Sequence, residues 1–310
     1  MVKPETKRQD GRFYTIGDPF HHPAFRAWAR RSGLPAHIVL EPFAGANRLI
    51  EHLEGMGLCT RSESYDLAPS HPRVRERDTL KSFPEGFRVC VTNPPWLAKN
   101  SATFRGYDFP DCPHDDLYKF ALEKCLYHCD SVAALVPESF ICAHVFKERL
   151  TDFVSLHPDL FTDTGHPVGL ALFGPDPVQD VQVWSGDSRV GTLSELEKLR
   201  PQPRPGGPRV RFNDPQGNVG LIALDNTKTA SIRFCPAEEL ADYPVKHTGR
   251  HITKLRVDGK IRIRKWNEHL ADFRARTYDM LMTCYKGIRK DGRYRRRLDW
   301  KLARGIIHHA

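Results

Sequence analysis

Residues 91–96 read Val-Thr-Asn-Pro-Pro-Trp, an apolar run that meets an amide, two prolines and a large aromatic. Pro94 and Pro95 lack an N–H and have nearly fixed φ, so the corner is stiff and its carbonyls cannot join a helix or a ladder. Asn93 offers one acceptor oxygen and two donors, and Trp96 a wide flat face. Fixed acceptors beside a stacking platform suit a planar ring that carries an amino group. A short motif of this kind also has a plain explanation, a tight structural turn with a core tryptophan.

Other residues add to the corner. Residues 41–49, Glu-Pro-Phe-Ala-Gly-Ala-Asn-Arg-Leu, leave an apolar run through a small-residue turn at Phe43, Ala44 and Gly45. Small residues let backbone approach a ligand closely. The Gly-Lys-Ser/Thr signature of a phosphate loop is missing from that turn. Glu41 favours a cationic or hydroxylated ligand. Asp66, in Tyr-Asp-Leu-Ala-Pro, ends the next run, a place where an acidic residue commonly takes ribose hydroxyls. Asp78, in Arg-Asp-Thr-Leu, is a third carboxylate. Three carboxylates at successive strand ends beside the corner form a stronger signal than any one alone.

The elements that must hold these residues alternate. Strands are expected over residues 37–43, 60–67, 87–92, 131–137 and 167–174. Helices are expected over 47–57, 115–129 with Asp115 as N-cap, and 138–153. Strand–helix alternation with apolar strands predicts a doubly wound, Rossmann-like α/β sheet, which binds ligands beyond the carboxyl ends of its strands. The stretch 97–113, with Lys99, Asn100 and Arg105, is long for a connection, and long loops are often functional.

Near residue 175 the pattern changes to Pro/Gly-rich connectors and short strand-like pieces. Two domains follow from this, residues 1–175 and a smaller α+β region, 176–310. Over residues 253–266 the pair Asp258-Gly259 between alternating runs predicts a two-stranded hairpin. Its dry face would carry Leu255, Val257, Ile261 and Ile263. Its cationic face would carry Lys254, Arg256, Lys260, Arg262 and Arg264, suited to a DNA groove or a row of phosphates. Trp266, Leu270, Phe273, Thr277, Leu281 and Cys284 mark a helical packing stripe. A basic turn around Tyr294, with Arg293, Arg295 and Arg296, follows.

The net charge of +9 is uneven. Residues 246–310 hold 19 Lys and Arg against six Asp and Glu. A mildly acidic body with a strongly basic last fifth reads as a catalytic unit with a polyanion grip. No apolar run is long enough for a membrane span, and residues 1–13 lack the apolar core of a signal peptide. Eight scattered cysteines suggest reduced thiols in a cytoplasmic protein. Cys125 and Cys129, near Cys112, His114 and His128, lack the paired short spacing of zinc ligands, so no metal is expected.

In these motifs the sequence resembles the S-adenosylmethionine (AdoMet)-dependent amino-methyltransferases, of the adenine-N6 DNA type with the gamma order of motifs. Residues 11–19 are similar to the family's N-terminal cofactor motif, with Thr15 in the matching place. Glu-Pro-Phe-Ala-Gly-Ala-Asn resembles the first motif, Asp66 the second, Asp78 the third and Asn-Pro-Pro-Trp the fourth. Residues 115–120, 133–140 and 165–173 resemble the later ones. The likeness covers roughly residues 10–175, in order. Asn47 departs from it where a second glycine is usual, as does Ile16 where proline is frequent.

The resemblance implies a class I methyltransferase sheet and AdoMet as cofactor. It would be held by Thr15, Glu41, Phe43, Ala44, Gly45, Asp66 with Leu67, Asp78 with Thr79, and Asn93. It implies that the Asn93 side-chain oxygen and the Pro94 carbonyl accept both amino protons of the target base, with Pro95 and Trp96 completing the catalytic corner. The base would be flipped from double-stranded DNA and stacked on Trp96, with Phe161 or His166 covering another side. Lys99 and Arg105 would close on DNA. A monomer is expected, with room for a separate cognate restriction endonuclease. RNA and protein-glutamine amino-methyltransferases use similar corners, cytosine-N4 enzymes usually place serine at position 93, and a non-catalytic nucleic-acid binder on the same fold is a further alternative.

Overall fold

The structure, a computed structural model, describes residues 18–158 and 165–309. Helix α1 (Pro23–Arg31) begins where the His22 imidazole accepts from the Ala24 N–H at 3.1 Å and proline fills the first helical position. Strand β1 (Val39–Glu41) leads into helix α2 (Arg48–Gly55). Strands β2 (Ser62–Asp66), β3 (Val74–Glu76) and β4 (Val89–Thr92) follow. Helices α3 (Lys99–Arg105) and α4 (Leu117–His128) come next, then β5 (Ser131–Pro137), β6 (Leu150–Ser155), β7 (Val168–Phe173), β8 (Gln182–Ser185) and β9 (Ser188–Thr192).

These strands form one sheet in the order β3-β2-β1-β4-β5-β7-β6-β8-β9. The run from β3 to β5 is parallel, while β7 is antiparallel to both β5 and β6. Strands β1, β4 and β7 are buried at every position, as a sheet covered on both faces requires. Phe25 and Trp28 of α1 and Leu49, Ile50 and Leu53 of α2 join Val39, Val89 and Val91 in one core cluster. The Trp28 Nε1–H donates to the Phe173 carbonyl at 2.8 Å and so closes the core with a satisfied indole. This is the doubly wound α/β fold that the alternation predicts.

Three expectations are corrected. Asp116, not Asp115, caps α4 by accepting from the Tyr118 N–H. The expected helix over 138–153 is a single 3-10 turn, Glu138–Cys142, and then strand β6. Strand β6 lies between β7 and β8, so the sheet satisfies its backbone on both sides and overrides the helical spacing. Gly169 in β7 makes room for this arrangement, because a Cβ there would lie 2.3 Å from the Phe153 ring. The break between units also falls later than 175/176. The first compact unit runs to Arg189 and the second begins at Val190, since β8, beyond residue 175, extends the first sheet.

The second unit is α+β. It comprises α5 (Leu193–Lys198), β10 (Val210–Phe212), β11 (Val219–Ile222), β12 (Arg233–Pro236), β13 (Ile252–Val257), α6 (Ile263–Thr277), β14 (Thr283–Ile288), β15 (Tyr294–Arg297) and α7 (Trp300–His309). Four strands pair antiparallel in the order β10-β13-β11-β12, and β14 pairs with β15. The hairpin expected over 253–266 is absent. Its first arm is β13, whose neighbours are β10 and β11. Gly259, at φ 119°, then turns the chain, and residues from Ile263 onward are helical. The alternation over 260–264 is too short to separate strand from helix. The buried stripe Trp266, Leu270, Phe273 and Thr277 decides for α6. Leu281 and Cys284, assigned to that stripe, lie beyond the end of the helix.

Inside this unit Asp225, Arg274, Asp279 and Arg289 form a buried ion network. Arg274 holds Asp225 in a two-point grip at 2.8 and 2.9 Å and Asp279 at 2.7 and 2.9 Å, while Arg289 reaches Asp225 at 2.8 Å.

Candidate active site

The sheet order reverses between β1 and β4, and the carboxyl ends of β1, β2 and β4 meet there. At such a switch point the loops part and leave a crevice. A cavity of about 350 Å³ occupies it, within the size range of small-molecule sites. Glu41, Phe43, Ala44 and Gly45 line it from the turn after β1. Asp66 and Leu67 line it after β2, Asp78 and Thr79 after β3, and Asn93 and Pro95 after β4.

The turn after β1 is held by its neighbour. The Ala44 N–H donates to the Tyr65 carbonyl at 2.8 Å. The Asp66 carboxylate accepts from the Gly45 N–H at 2.9 Å and from the Ala68 N–H at 2.8 Å, one on each oxygen. Asp66 therefore fixes two loops at once, and its remaining lone pairs face the cavity it lines. Gly45 has φ 49° and Asn47 φ 61°, both in the left-handed region. Asparagine is among the few non-glycine residues that enter this region readily. Asn47 thus adopts the left-handed turn that leads into α2. Thr79 Oγ1 donates to the Pro42 carbonyl at 2.9 Å and ties the loop after β3 to the same turn.

Glu41 is only 1% exposed. Its Oε1 accepts from the Thr92 hydroxyl at 2.7 Å and the Phe43 N–H at 3.1 Å. Its Oε2 has no hydrogen-bond partner among the described residues. Burial pushes its pKa up to about 8, against the pull of the Thr92 and Phe43 hydrogen bonds and with the Asp66 charge adding to the rise. A buried carboxyl with one idle oxygen costs stability until a ligand engages it. The cavity therefore presents two further carboxylates, at Asp66 and Asp78, a neutral acid, an amide and small-residue backbone. That donor set fits a molecule with a hydroxylated sugar, an amino-bearing ring and a cationic tail.

Of the expected corner, Asn93 and Pro95 line the cavity, whereas Pro94 is buried. Trp96 is half-buried and packs against the core cluster, outside the cavity lining. His166 is exposed and does not line the cavity. Thr15 and Phe161 lie outside the described residues.

The stretch after the corner is partly helical, as α3. Its base is fastened: the Lys99 N–H donates to the Asp115 carbonyl at 2.8 Å and the Leu117 N–H to the Leu97 carbonyl at 2.9 Å. Tyr107 and Asp108 return from this excursion to line the cavity, as do Leu97 and Leu117 at its base. Sequence reasoning singled out the stretch but missed these four residues and Arg77. Lys99 and Arg105 are exposed on it, and Phe104 is 92% exposed.

Among the basic residues of the second unit, Arg256, Lys260, Arg262, Arg264 and Arg293 are exposed and Lys254 is half-buried. Arg295 is half-buried and stacks over Tyr285 with 5.0 Å to the ring centroid. Arg296 is a correction. It is 4% exposed and donates to Cys284 Sγ at 3.2 Å, so it serves the hairpin interior and not a phosphate. Among the described residues, no cluster of three or more His, Cys, Asp or Glu could hold a metal ion. No helix among them is long and apolar enough to cross a membrane.

The strand order, with its antiparallel seventh strand, is that of the class I methyltransferase sheet. No protein-family model matches the sequence, and no curated protein matches it. Solved structures are similar to the chain at low identity. A Listeria monocytogenes protein assigned to the class I S-adenosylmethionine-dependent methyltransferases is 14% identical, covering 53% of this chain and 64% of its own at a TM-score of 0.40. The methyltransferase subunit of a type I restriction-modification system from Streptococcus thermophilus is 14% identical, covering 60% and 52% at a TM-score of 0.38. The M protein of the type I restriction enzyme EcoKI is 13% identical, covering 82% and 70% at a TM-score of 0.38. The chain thus spans less than two thirds of the first two. Likeness this distant leaves the cavity geometry to decide function.

Proposed function

We propose that this chain transfers the methyl group of AdoMet to the exocyclic amino group of adenine in double-stranded DNA. The observation that carries this is one cavity lined by Glu41, Asp66, Asp78 and Asn93 at the carboxyl ends of neighbouring strands. The cavity fits AdoMet on three counts. It has room, its turn is built of small residues, and the idle Glu41 Oε2 awaits a cationic partner. Glu41 would hold the cationic methionine end, Asp66 the ribose hydroxyls, and Asp78 the adenine amino group of the cofactor. When bound, AdoMet supplies an electrophilic methyl on sulfur.

The chain's own residues then have a defined task. An aromatic amino group is a poor nucleophile because its lone pair is delocalised into the ring. The Asn93 oxygen and the Pro94 carbonyl would accept its two protons, which makes the nitrogen more tetrahedral and aims its lone pair. Positioning of this kind contributes several kcal/mol to rate, and fixed dipoles contribute more. The two prolines keep the acceptors from relaxing, and Trp96, anchored on the core, would brace the corner. Because a duplex hides the amino group, the base must leave the stack.

The exposed Arg256, Lys260, Arg262, Arg264 and Arg293, with the half-buried Lys254, would grip phosphates, and Lys99 and Arg105 would do so from the α3 excursion. The test is incubation with unmethylated genomic DNA and labelled AdoMet, followed by base-resolved sequencing. N6-methyladenine made by the wild type and lost in Asn93→Ala supports the proposal. Transfer that persists in Asn93→Ala overturns it. Preference for structured RNA over duplex DNA would reassign the substrate.

A further inference from the structure

The Glu41 carboxyl is enclosed, yet only one of its oxygens is used. Thr92 and Phe43 hold Oε1 from two strands' ends, while Oε2, itself buried, lacks a partner among the described residues in a side chain that lines the cavity. The groups that line the same cavity include the carboxylates of Asp66, Asp78 and Asp108 and the guanidinium groups of Arg48 and Arg77. Among the described residues no cation is hydrogen-bonded to Glu41, so an ionised Glu41 would sit in low dielectric without a counter-charge from them, a costly state. Its raised pKa, about 8, agrees with this geometry.

We propose that Glu41 is a proton-exchanging counter-ion, neutral in the empty cavity and ionised when a cationic group of the ligand settles beside it, and that Thr92 is a positioning residue that carries this change to the adjoining Asn93. The inference rests on the reading of the cavity as an AdoMet site. The proton leaves to solvent and no covalent bond changes. Thr92 is itself 1% exposed and is joined to Asn93 by a peptide bond, so a shift in the carboxyl bears directly on the residue that would orient the target nitrogen. Ligand occupancy and readiness of the amide would then be linked through one hydroxyl.

The experiment is isothermal titration of the full chain at about pH 6.5, where the ligand's α-amino group is still protonated, in two buffers of different ionisation heat. With AdoMet, release approaching one proton per ligand bound is expected. With 5′-methylthioadenosine, which lacks the ammonium and the sulfonium charge, no release is expected. The Glu41→Gln variant should bind AdoMet without release. Thr92→Val should lower kcat more than it alters AdoMet affinity, and Thr92→Ser should restore kcat. Wild-type binding of AdoMet without proton release overturns this inference alone. A Thr92→Val enzyme with unchanged kcat removes the positioning role. Failure of AdoMet to bind at all overturns the reading of the site, and this inference with it.

Discussion

Two buried carboxylates, one in each unit, have opposite surroundings. Asp225 in the second unit is fully buried and is met by Arg274 and Arg289 together with the N–H groups of Ser231, Ile232 and Arg296. Burial pushes its pKa up, but the two guanidinium groups outweigh that and hold it below the usual carboxylate range. Glu41 in the first unit is equally enclosed but has one hydroxyl, one N–H and an idle oxygen. A buried charge with every lone pair answered builds structure, and one left half-answered beside a cavity is reserved for something that arrives later.

The contrast can be broken experimentally. The largest effect is expected at the saturated site. Asp225→Ala removes the buried partner that Arg274 and Arg289 share and should cost about 3–5 kcal/mol in urea unfolding, whereas Glu41→Gln, which keeps the shape and removes an idle acid, should cost far less. Equal costs would erase the distinction. Next in size is Asn93→Ala, which should lower methyl transfer by roughly 10²–10³-fold, the usual loss for one preorganised polar contact. AdoMet affinity, measured by titration, should change much less.

A pH series sharpens the contrast further. Glu41 has a folded-state pKa raised from 4.5 to about 8. Between those values the folded chain binds a proton that the unfolded chain does not. Its contribution to stability is complete below 4.5 and is lost as pH rises towards 8, by up to about 1.4 kcal/mol per unit. Ligand-free Glu41→Gln should show a flatter stability profile across that window. The Asp225 contribution runs the other way, because its folded pKa is lowered. It is present above the ordinary aspartate value and is lost as pH falls through the folded one.

The smallest effect concerns the exposed cations. Replacing Arg262 and Arg264 by alanine should reduce the slope of log affinity against log salt for duplex DNA by about 2, if each meets one phosphate, and leave AdoMet affinity unchanged. The same replacement of the buried Arg296 should instead lower stability.

The parts of this molecule legible in its sequence were those set by local runs. Residues 131–137 are apolar without interruption and form β5 over the same span. Among the cavity residues, Glu41 and Asn93 were legible because each closes an apolar run, whereas Asp66 and Asp78 follow polar strands and were legible only through their motifs. Where sequence reasoning went astray, a tertiary demand prevailed. Residues 150–155 have helical spacing, but a slot between β7 and β8 claims them. Ile261 and Ile263 alternate with cations like a ribbon, yet the stripe from Trp266 onward recruits Ile263 into α6. Arg296 reads as a free cation in a basic run, but β15 turns every second side chain inward, burying Tyr294 and Arg296. Tyr107 and Asp108 left no signal beyond their place in a long connection, because only the fastening at its base brings them back to the cavity.

That fastening has a consequence for how such a chain could diversify. With Leu97 and Lys99 joined to Leu117 and Asp115 by backbone bonds, the segment between is a closed loop whose tip can be lengthened, shortened or replaced while its two feet stay put. Under the proposed function, exchanging residues 100–106 would alter contacts to the substrate while Asn93 stays in place, which would make this excursion a graft point for changing target preference.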